Sequence, residues 1–313
     1  MLYRNLGRTG MKVSAFCLGT NTFGRTTDQA QSDAVLDAFF EQGGNFVDTS
    51  DSYSRGQSET ILGNWIKARG NRADVIVATK VCSPMGDGPN DRGLSRLHIM
   101  AGVEASLRRL QTDYIDLYQA HRDDPDTPLD ETLRAFDDLV RQGKVRYVAC
   151  SNYRSWRLME ALWVSDKHNL ARFECLQPKY NLMFRDEYER ELEALCREQQ
   201  IGVITYSSLG SGFFSGKYRP GQPLPGTVRA TGVERDYMND RGWRILGAVD
   251  DVAKGRGATP SQVALAWIVR RPGITAPIAS ATSPEQIREL LGSVELDLSD
   301  EELAKLAEAS AWS

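Results

Sequence analysis

The 313-residue chain predicts an α/β fold: a (β/α)8 barrel in a single domain spanning 1–313, with an N-terminal β-hairpin and a long lid loop after the seventh strand. Three observations carry this. Short apolar runs alternate with amphipathic stretches eight times, at the spacing of about 30 residues typical of βα units. Several apolar runs end abruptly in one ionisable group, as at Phe46-Val47-Asp48. One interval, Gly210 to Asp240, is rich in Gly, Pro and Arg and far longer than an ordinary connection, as lids and binding loops are. An open doubly wound sheet is the alternative, but it usually stops at five or six strands.

The elements follow in order. Leu2–Leu6 and Met11–Val13 flank Gly7-Arg8-Thr9-Gly10, a small hairpin. Ser14–Gly19 is the first barrel strand. Asp28–Gln42 is a helix with Val35, Ala38 and Phe39 on one face and Gly43 at the C′ position. The second strand starts at Asn45 and ends at Asp48. Ser58 is placed to cap a helix carrying Ile61, Leu62, Trp65 and Ile66. Asp74–Lys80 is the third strand, and Ser95 caps a helix with Met100, Val103, Leu107 and Leu110 in step. Tyr114–His121 is the fourth. Thr127-Pro128 has the N-cap and N1 proline arrangement, with Asp130 and Glu131 suiting the first-turn dipole. Val145–Ser151, Phe173–Gln177 and Gly202–Ser207 are strands five to seven, separated by helices at Trp156–Lys167 and Asp186–Gln200. Beyond the lid come a helix at Arg241–Lys254, another opening at Thr259-Pro260, and the eighth strand, Ile274–Ala279. Ser283-Pro284 starts the next helix, and Ser299 to Glu302 forms a capping box for the last.

Composition narrows the function. The net charge of −4 is spread through the chain with no Lys/Arg block, which argues against nucleic acid. Cys17, Cys82, Cys150, Cys175 and Cys196 have no CxxC spacing and read as buried small hydrophobes in a reducing cytoplasm. The N-terminus lacks an apolar signal core, and no apolar run approaches the ~18 residues of a membrane span. The three histidines form no HxH or HExxH, so no metal is expected; GxSxG is absent as well.

In such barrels reactive groups sit at the carboxyl ends of strands. Asp48, Lys80 and His121 end three successive strands, and Tyr53 follows five residues after Asp48. Singly, each has a plain reading: a turn-forming acid, a solvent-reaching lysine, a packing tyrosine, a hydrogen-bonded histidine. Together they compose a proton-relay site. Asp48 keeps Lys80 charged, the ammonium favours the Tyr53 phenolate and lowers its pKa, and His121 orients a carbonyl oxygen.

The segments NFVDTSDSY, VIVATK, YIDLYQAHRDDPDTPLDETL and GKVRYVACSNY resemble the aldo-keto reductase superfamily, in particular its bacterial branch similar to potassium-channel β subunits. The similarity runs from Tyr3 to Gln286. It implies NAD(P)(H)-dependent interconversion of an aldehyde or ketone and its alcohol by direct hydride transfer, with Tyr53 as general acid/base and Asp48, Lys80 and His121 as its catalytic partners. It implies that Ser151, Asn152 and Gln177 hold the nicotinamide carboxamide and that Tyr206 stacks on the ring. The backbone of Gly19 and Thr20, together with Asp48, borders the ribose. Ser207, Leu209, Ser211 and Lys217 form a pyrophosphate strap; the glycines there, spaced GxGxxxG before Lys-Tyr-Arg-Pro-Gly, do not fit a dinucleotide fingerprint ahead of a helix. Glu289 matches an adenine-contacting acid. Relatives often carry a basic residue where Ser280 or Gln286 stands and asparagine where Leu290 stands; Arg229, from the lid, is the candidate clamp for a 2′-phosphate in their place, which favours NADP(H) over NAD(H). Ser208 stands where many relatives have proline.

Two other functions fit parts of the sequence: a nucleotide-holding regulatory subunit with slow turnover, and a barrel lyase or isomerase using Lys80 as a Schiff-base amine. The expected partner is a small carbonyl or alcohol, with pocket walls from Asn21–Phe23, Val81–Met85, Arg122–Asp124 and the lid. The sequence specifies neither the substrate, nor the physiological direction, nor the oligomeric state.

Overall fold

A computed structural model describes residues 1–227 and 229–312; Val228, within the expected lid, and Ser313, at the end of the expected domain span, lie outside the described residues. Strands β1 (Tyr3–Asn5) and β2 (Lys12–Ser14) pair antiparallel as the N-terminal hairpin. The next eight strands are β3 (Cys17–Gly19), β4 (Phe46–Asp48), β5 (Ile76–Val81), β6 (Ile115–Ala120), β7 (Val145–Ser151), β8 (Phe173–Gln177), β9 (Gly202–Thr205) and β10 (Ala276–Ala279). They pair in parallel in chain order, and β10 closes onto β3. Helices α1 (Gln29–Glu41), α2 (Gln57–Arg69), α3 (Arg96–Leu110), α4 (Leu129–Arg141), α5 (Ser155–His168), α6 (Glu193–Glu198), α7 (Ala230–Tyr237), α8 (Asp240–Arg256), α9 (Pro260–Val269), α10 (Pro284–Leu291) and α11 (Asp300–Ala309) surround it. The expected (β/α)8 barrel with its hairpin is the fold observed.

Side chains alternate across a strand with period two, and this builds the interior in layers. Cys17, Phe46, Ala78, Leu117, Ala149, Cys175 and Ile204 form one apolar layer inside the barrel, closed at the hairpin end by Leu6 and Val13. Two residues further along the same strands stand Gly19, Asp48, Lys80, Gln119, Ser151 and Gln177, with Tyr206 just past the end of β9. The odd-phase residues, among them Val47, Val77, Tyr118 and Val148, pack outward in the larger cluster against the helices. The inner wall thus switches from apolar to polar within one step, at the carboxyl end.

Local chemistry departs from the sequence reading at four places. The Ser14–Gly19 run divides: Ser14 ends the hairpin, and its hydroxyl donates to Phe16 O at 2.7 Å. Ser58 does not cap α2; Gly56, at φ +89°, holds that position. The Ser58 hydroxyl turns inward and bonds Thr20 and Thr49 instead, because both offer buried oxygens within 3.0 Å. Thr127 donates to Asp124 Oδ2 at 2.7 Å, which leaves Pro128 as the N-cap and Leu129 as the first residue of α4. The lid is not structureless: it contains 3₁₀ turns at Gly210–Ser215 and the whole of α7. Aromatic packing explains this. Phe213 stacks on Tyr237 with centroids 5.5 Å apart and meets Trp243 at 5.3 Å. Glycine and proline content concealed that core.

Candidate active site

Register brings the polar layer together. Gly19 pairs with Asp48, Lys80 with Gln119, and Ser151 with Gln177 across neighbouring strands. Asp48 is the hub. Its Oδ2 accepts from Lys80 Nζ at 2.6 Å, and its Oδ1 accepts from Gln119 Nε2 at 3.1 Å and Gln177 Nε2 at 2.8 Å. Lys80 is wholly buried and directs its remaining donors to Thr49 O at 2.8 Å and the Tyr53 hydroxyl at 3.4 Å. An ion pair in such a place is sustained only when its other donors and acceptors are also satisfied, and here they are.

Tyr53 reaches this lysine because the chain folds back after β4. Its N–H donates to Ser50 O at 3.2 Å, and Ser54 and Arg55 take positive φ before α2. The Tyr53 ring meets His121 edge-on at 6.2 Å. His121 Nδ1 lies 3.3 Å from Ser50 Oγ and 3.5 Å from Ser83 Oγ, which leaves Nε2 for other contacts.

The electrostatics correct one expectation. Burial raises the Tyr53 phenol above its ordinary value, and Lys80 offsets only part of that rise. The sequence reading expected the ammonium to lower it; the desolvation of a phenolate inside the barrel outweighs one neighbouring charge. Tyr53 is therefore a protonated acid at neutral pH. Burial works to lower Lys80, but Asp48 and Tyr53 together outweigh it and hold the ammonium above its usual range. Burial, then Lys80 and Arg122, push His121 down to about 3, so its ring is neutral at pH 7.

Asp48, Tyr53 and His121 open onto a cavity of about 750 Å³. Of the residues expected to hold a nucleotide, Gly19, Ser151, Asn152, Gln177, Tyr206, Ser207, Leu209, Ser211, Lys217, Arg229, Ser280 and Gln286 all line it. Two others, Thr20 and Glu289, do not, nor does Lys80. Thr20 is buried, bonding Asp48 O and Ser58. Lys80 is fully buried, with Nζ committed to Asp48, Thr49 and Tyr53, which counts against the Schiff-base reading. Glu289 accepts from Thr259 Oγ1 at 2.7 Å, away from the cavity wall. Asn21 and Thr22 line the cavity, but Phe23, Val81–Met85 and Arg122–Asp124 do not.

Several contacts hold the wall in shape. Tyr206 donates to Asn152 Oδ1 at 2.8 Å, while Asn152 Nδ2 donates to His121 O at 3.0 Å and Ser151 Oγ at 2.9 Å. A Cβ on Gly19 would come within 2.8 Å of Ile278 Cγ2 and 3.0 Å of Ser280 Oγ, so only glycine leaves this side open. Lys217 and Arg229 line the cavity, and among the described residues neither pairs with a carboxylate. Burial and a neighbouring cation work against both: Lys217 is lowered by desolvation and Arg229, and Arg229 by desolvation and Arg25. Two unneutralised cations in a half-enclosed pocket fit a polyanionic guest, so the pocket suits a dinucleotide diphosphate.

Sequence reasoning missed Gln119, Ser50 and Asp51. Gln119 was legible from period two, since it follows the inward Leu117 by two residues and is the only amide in that strand. Ser50 and Asp51 lie in a loop, where no periodicity marks them.

A family model described as Aldo/keto reductase family matches residues 15–311. The chain is 38% identical over 316 residues to an uncharacterized oxidoreductase, YrpG, of Bacillus subtilis (strain 168), covering 98% of this chain and 95% of that protein. It is 38% identical over 317 residues to a putative voltage-gated potassium channel subunit beta of Schizosaccharomyces pombe, covering 98% and 92%. It is 35% identical over 305 residues to a probable voltage-gated potassium channel subunit beta of Arabidopsis thaliana, covering 95% and 92%.

Proposed function

This chain belongs to the aldo/keto reductase family, and we propose that it is an NAD(P)(H)-dependent oxidoreductase interconverting an aldehyde or ketone and its alcohol, with Tyr53 as general acid/base. In this reading residues 1–313 act as one domain. The observation that carries it is Lys80, buried beneath a cavity lined by Asp48, Tyr53 and His121, which bridges Asp48 and the Tyr53 hydroxyl.

A bound nicotinamide would supply the hydride to the carbonyl carbon, or take it from the alcohol carbon. The chain's own residues do the rest. Tyr53 and neutral His121 hold the substrate oxygen between a phenol and a ring nitrogen. Tyr53 gives its proton to that oxygen as negative charge develops, and Lys80 stabilises the phenolate left behind. Asp48 keeps Lys80 charged and aimed. Ser151, Asn152, Gln177 and Tyr206 would hold the nicotinamide end. Ser207, Leu209, Ser211 and Lys217 would hold the diphosphate. Arg229, donating to Asn21 Oδ1 at 3.1 Å beside Ser280 and Gln286, is suited to a 2′-phosphate, so NADP(H) is the nucleotide we favour.

A nicotinamide fluorescence titration with NADPH and NADH, followed by an absorbance screen over carbonyl and alcohol libraries, tests the reading. Tight nucleotide binding with turnover on an aldehyde or ketone supports it. Stoichiometric binding with no turnover on any carbonyl favours a regulatory subunit, the reading that the names of the two channel-subunit relatives suggest.

A further inference from the structure

The relay leaves one buried acid unused. Asp51 is 2% exposed, and among the described residues its Oδ2 has no hydrogen-bond partner and it forms no ion pair. The cation nearest to hand is already taken, because Arg109 Nε donates to Glu59 Oε2 at 2.7 Å. The other groups facing Asp51 offer no compensating charge. Tyr118 presents a buried, unpartnered hydroxyl, Cys82 a buried thiol, and Lys80 only its backbone carbonyl, which accepts the Asp51 N–H at 3.4 Å. An ionised carboxylate with one bare oxygen in this setting is costly, and a neutral carboxyl is not. One side-chain contact leads out: the Ser50 hydroxyl lies 3.0 Å from Asp51 Oδ1 and 3.3 Å from His121 Nδ1.

We propose that Asp51 is a positioning residue for His121: acting through Ser50, it decides which ring nitrogen of His121 presents a proton to the substrate oxygen. The inference rests on the proposed role of His121 at that oxygen. Ser50 has one proton to give. When Asp51 is ionised, Ser50 donates to Asp51, so the Ser50 contact to His121 is kept only if Nδ1 carries the hydrogen and donates to Ser50 Oγ; Nε2 then faces the cavity as a bare acceptor. When Asp51 is protonated, it donates to Ser50, Ser50 donates to Nδ1, and Nε2 carries the hydrogen. The two states differ by one proton. It enters at Nε2, the Nδ1 hydrogen passes to Ser50, and the Ser50 hydrogen passes to Asp51. The Nε2–H state suits carbonyl reduction, where an oxygen must be polarised; the bare Nε2 suits an alcohol, whose O–H needs an acceptor.

Two neighbours act on the same chain. Ser52 Oγ lies 3.0 Å from Ser50 Oγ, and Ser83 Oγ, which accepts from Arg122 at 3.0 Å, has its own proton free for Nδ1 at 3.5 Å. The Ser50 contact is the shorter of the two at His121. The titration falls in a useful range: burial and Glu59 outweigh the Ser50 and Ser52 hydrogen bonds and Arg109, and push the Asp51 carboxyl up to about 7.

The first test needs no turnover. The chain has three histidines, so long-range ¹⁵N imidazole spectra of the full, nucleotide-free protein resolve each ring, with His121→Gln giving the assignment. The expected result is a change of His121 from Nε2–H to Nδ1–H as pH rises through about 7, abolished in both Asp51→Asn and Ser50→Ala. A His121 that keeps one tautomer from about pH 6 to about 8.5 in the wild type overturns the proposal, whether or not either variant folds. So does a change that persists in Asp51→Asn. The second test is the pH profile of kcat for reduction. The wild type is expected to lose about tenfold across the same range, the scale of one hydrogen bond, and Asp51→Asn to lose the inflection. An inflection near 7 retained in Asp51→Asn contradicts the proposal. Absence of any carbonyl turnover would remove the enzymatic reading while leaving the spectroscopic result to stand by itself.

Discussion

The two sides of the cavity solve opposite problems. On the β4–β6 side, polar groups are matched inside the protein: Asp48 accepts from Lys80, Gln119 and Gln177, and Lys80 spends its donors on Asp48, Thr49 and Tyr53. On the lid side, Lys217 and Arg229 face the cavity without a carboxylate among the described residues, and Ser207 and Ser211 take positive φ. The first arrangement is complete without a guest, as a preorganised reaction centre must be. The second is complete only with one. Stability should therefore be vested in the first side and nucleotide affinity in the second, and substitutions should sort accordingly.

The largest effect is expected at Lys80. Lys80→Met leaves Asp48 as a buried charge without its cation, and removal of one partner of such a pair typically costs about 3–5 kcal/mol. Denaturant unfolding of the nucleotide-free protein should show this as a lowered midpoint. Asp48→Asn combined with Lys80→Met should recover much of the loss, since no bare charge remains. If the double variant is as unstable as the single, the ion pair is not what holds this side together, and the contrast with the lid weakens.

Next comes Tyr53→Phe, which removes the hydroxyl and little else. Turnover should fall by ~10²-fold or more, the scale of a lost general acid, with nucleotide affinity nearly unchanged because the strap is untouched. Undiminished turnover would take Tyr53 out of the chemistry. A parallel loss of nucleotide binding would mean that the two sides are not separable.

The contrast also explains what was legible in the sequence. Strand-end residues could be found because a barrel converts period two and chain order into position: Asp48, Lys80 and Ser151 each follow an inward apolar residue by two. Gln119 obeys the same rule, but an uncharged amide has no titratable group to set it apart from an ordinary polar interior residue. The lid has no such rule. Its helix α7 depends on Tyr237 meeting Phe213 and Phe214, contacts between separate segments that no local pattern encodes. The contact of Glu289 is of the same kind, since Thr259, thirty residues away, donates to its Oε1 and no local pattern encodes that. Ser58 has the place of a cap in the chain, yet its hydroxyl bonds the buried oxygens of Thr20 and Thr49.

On the lid side, Arg229→Ala should weaken NADP(H) by about tenfold, the scale of one charge-assisted hydrogen bond, and leave NAD(H) and thermal stability close to wild type. Fluorescence titration with each nucleotide measures this directly. Equal losses for both nucleotides would mean that Arg229 shapes the lid and does not read the 2′-phosphate.

The smallest effect separates a dry centre from a wet one. His121 is held down to about 3 by burial and its cationic neighbours, against about 6.5 in an unfolded chain. Between those values the unfolded chain binds a proton that the folded one refuses. The stability this group confers is therefore intact above about pH 6.5 and is lost as pH falls toward 3. The loss amounts to about 1 kcal/mol between pH 6 and pH 5. His121→Asn cannot titrate, so its stability should decline less steeply than that of the wild type over the same interval, whatever offset the substitution itself introduces. Denaturant midpoints for the two proteins at a series of pH values give the comparison. Parallel curves would mean that the imidazole titrates as it does in water, and that solvent reaches the catalytic side as freely as it reaches the lid.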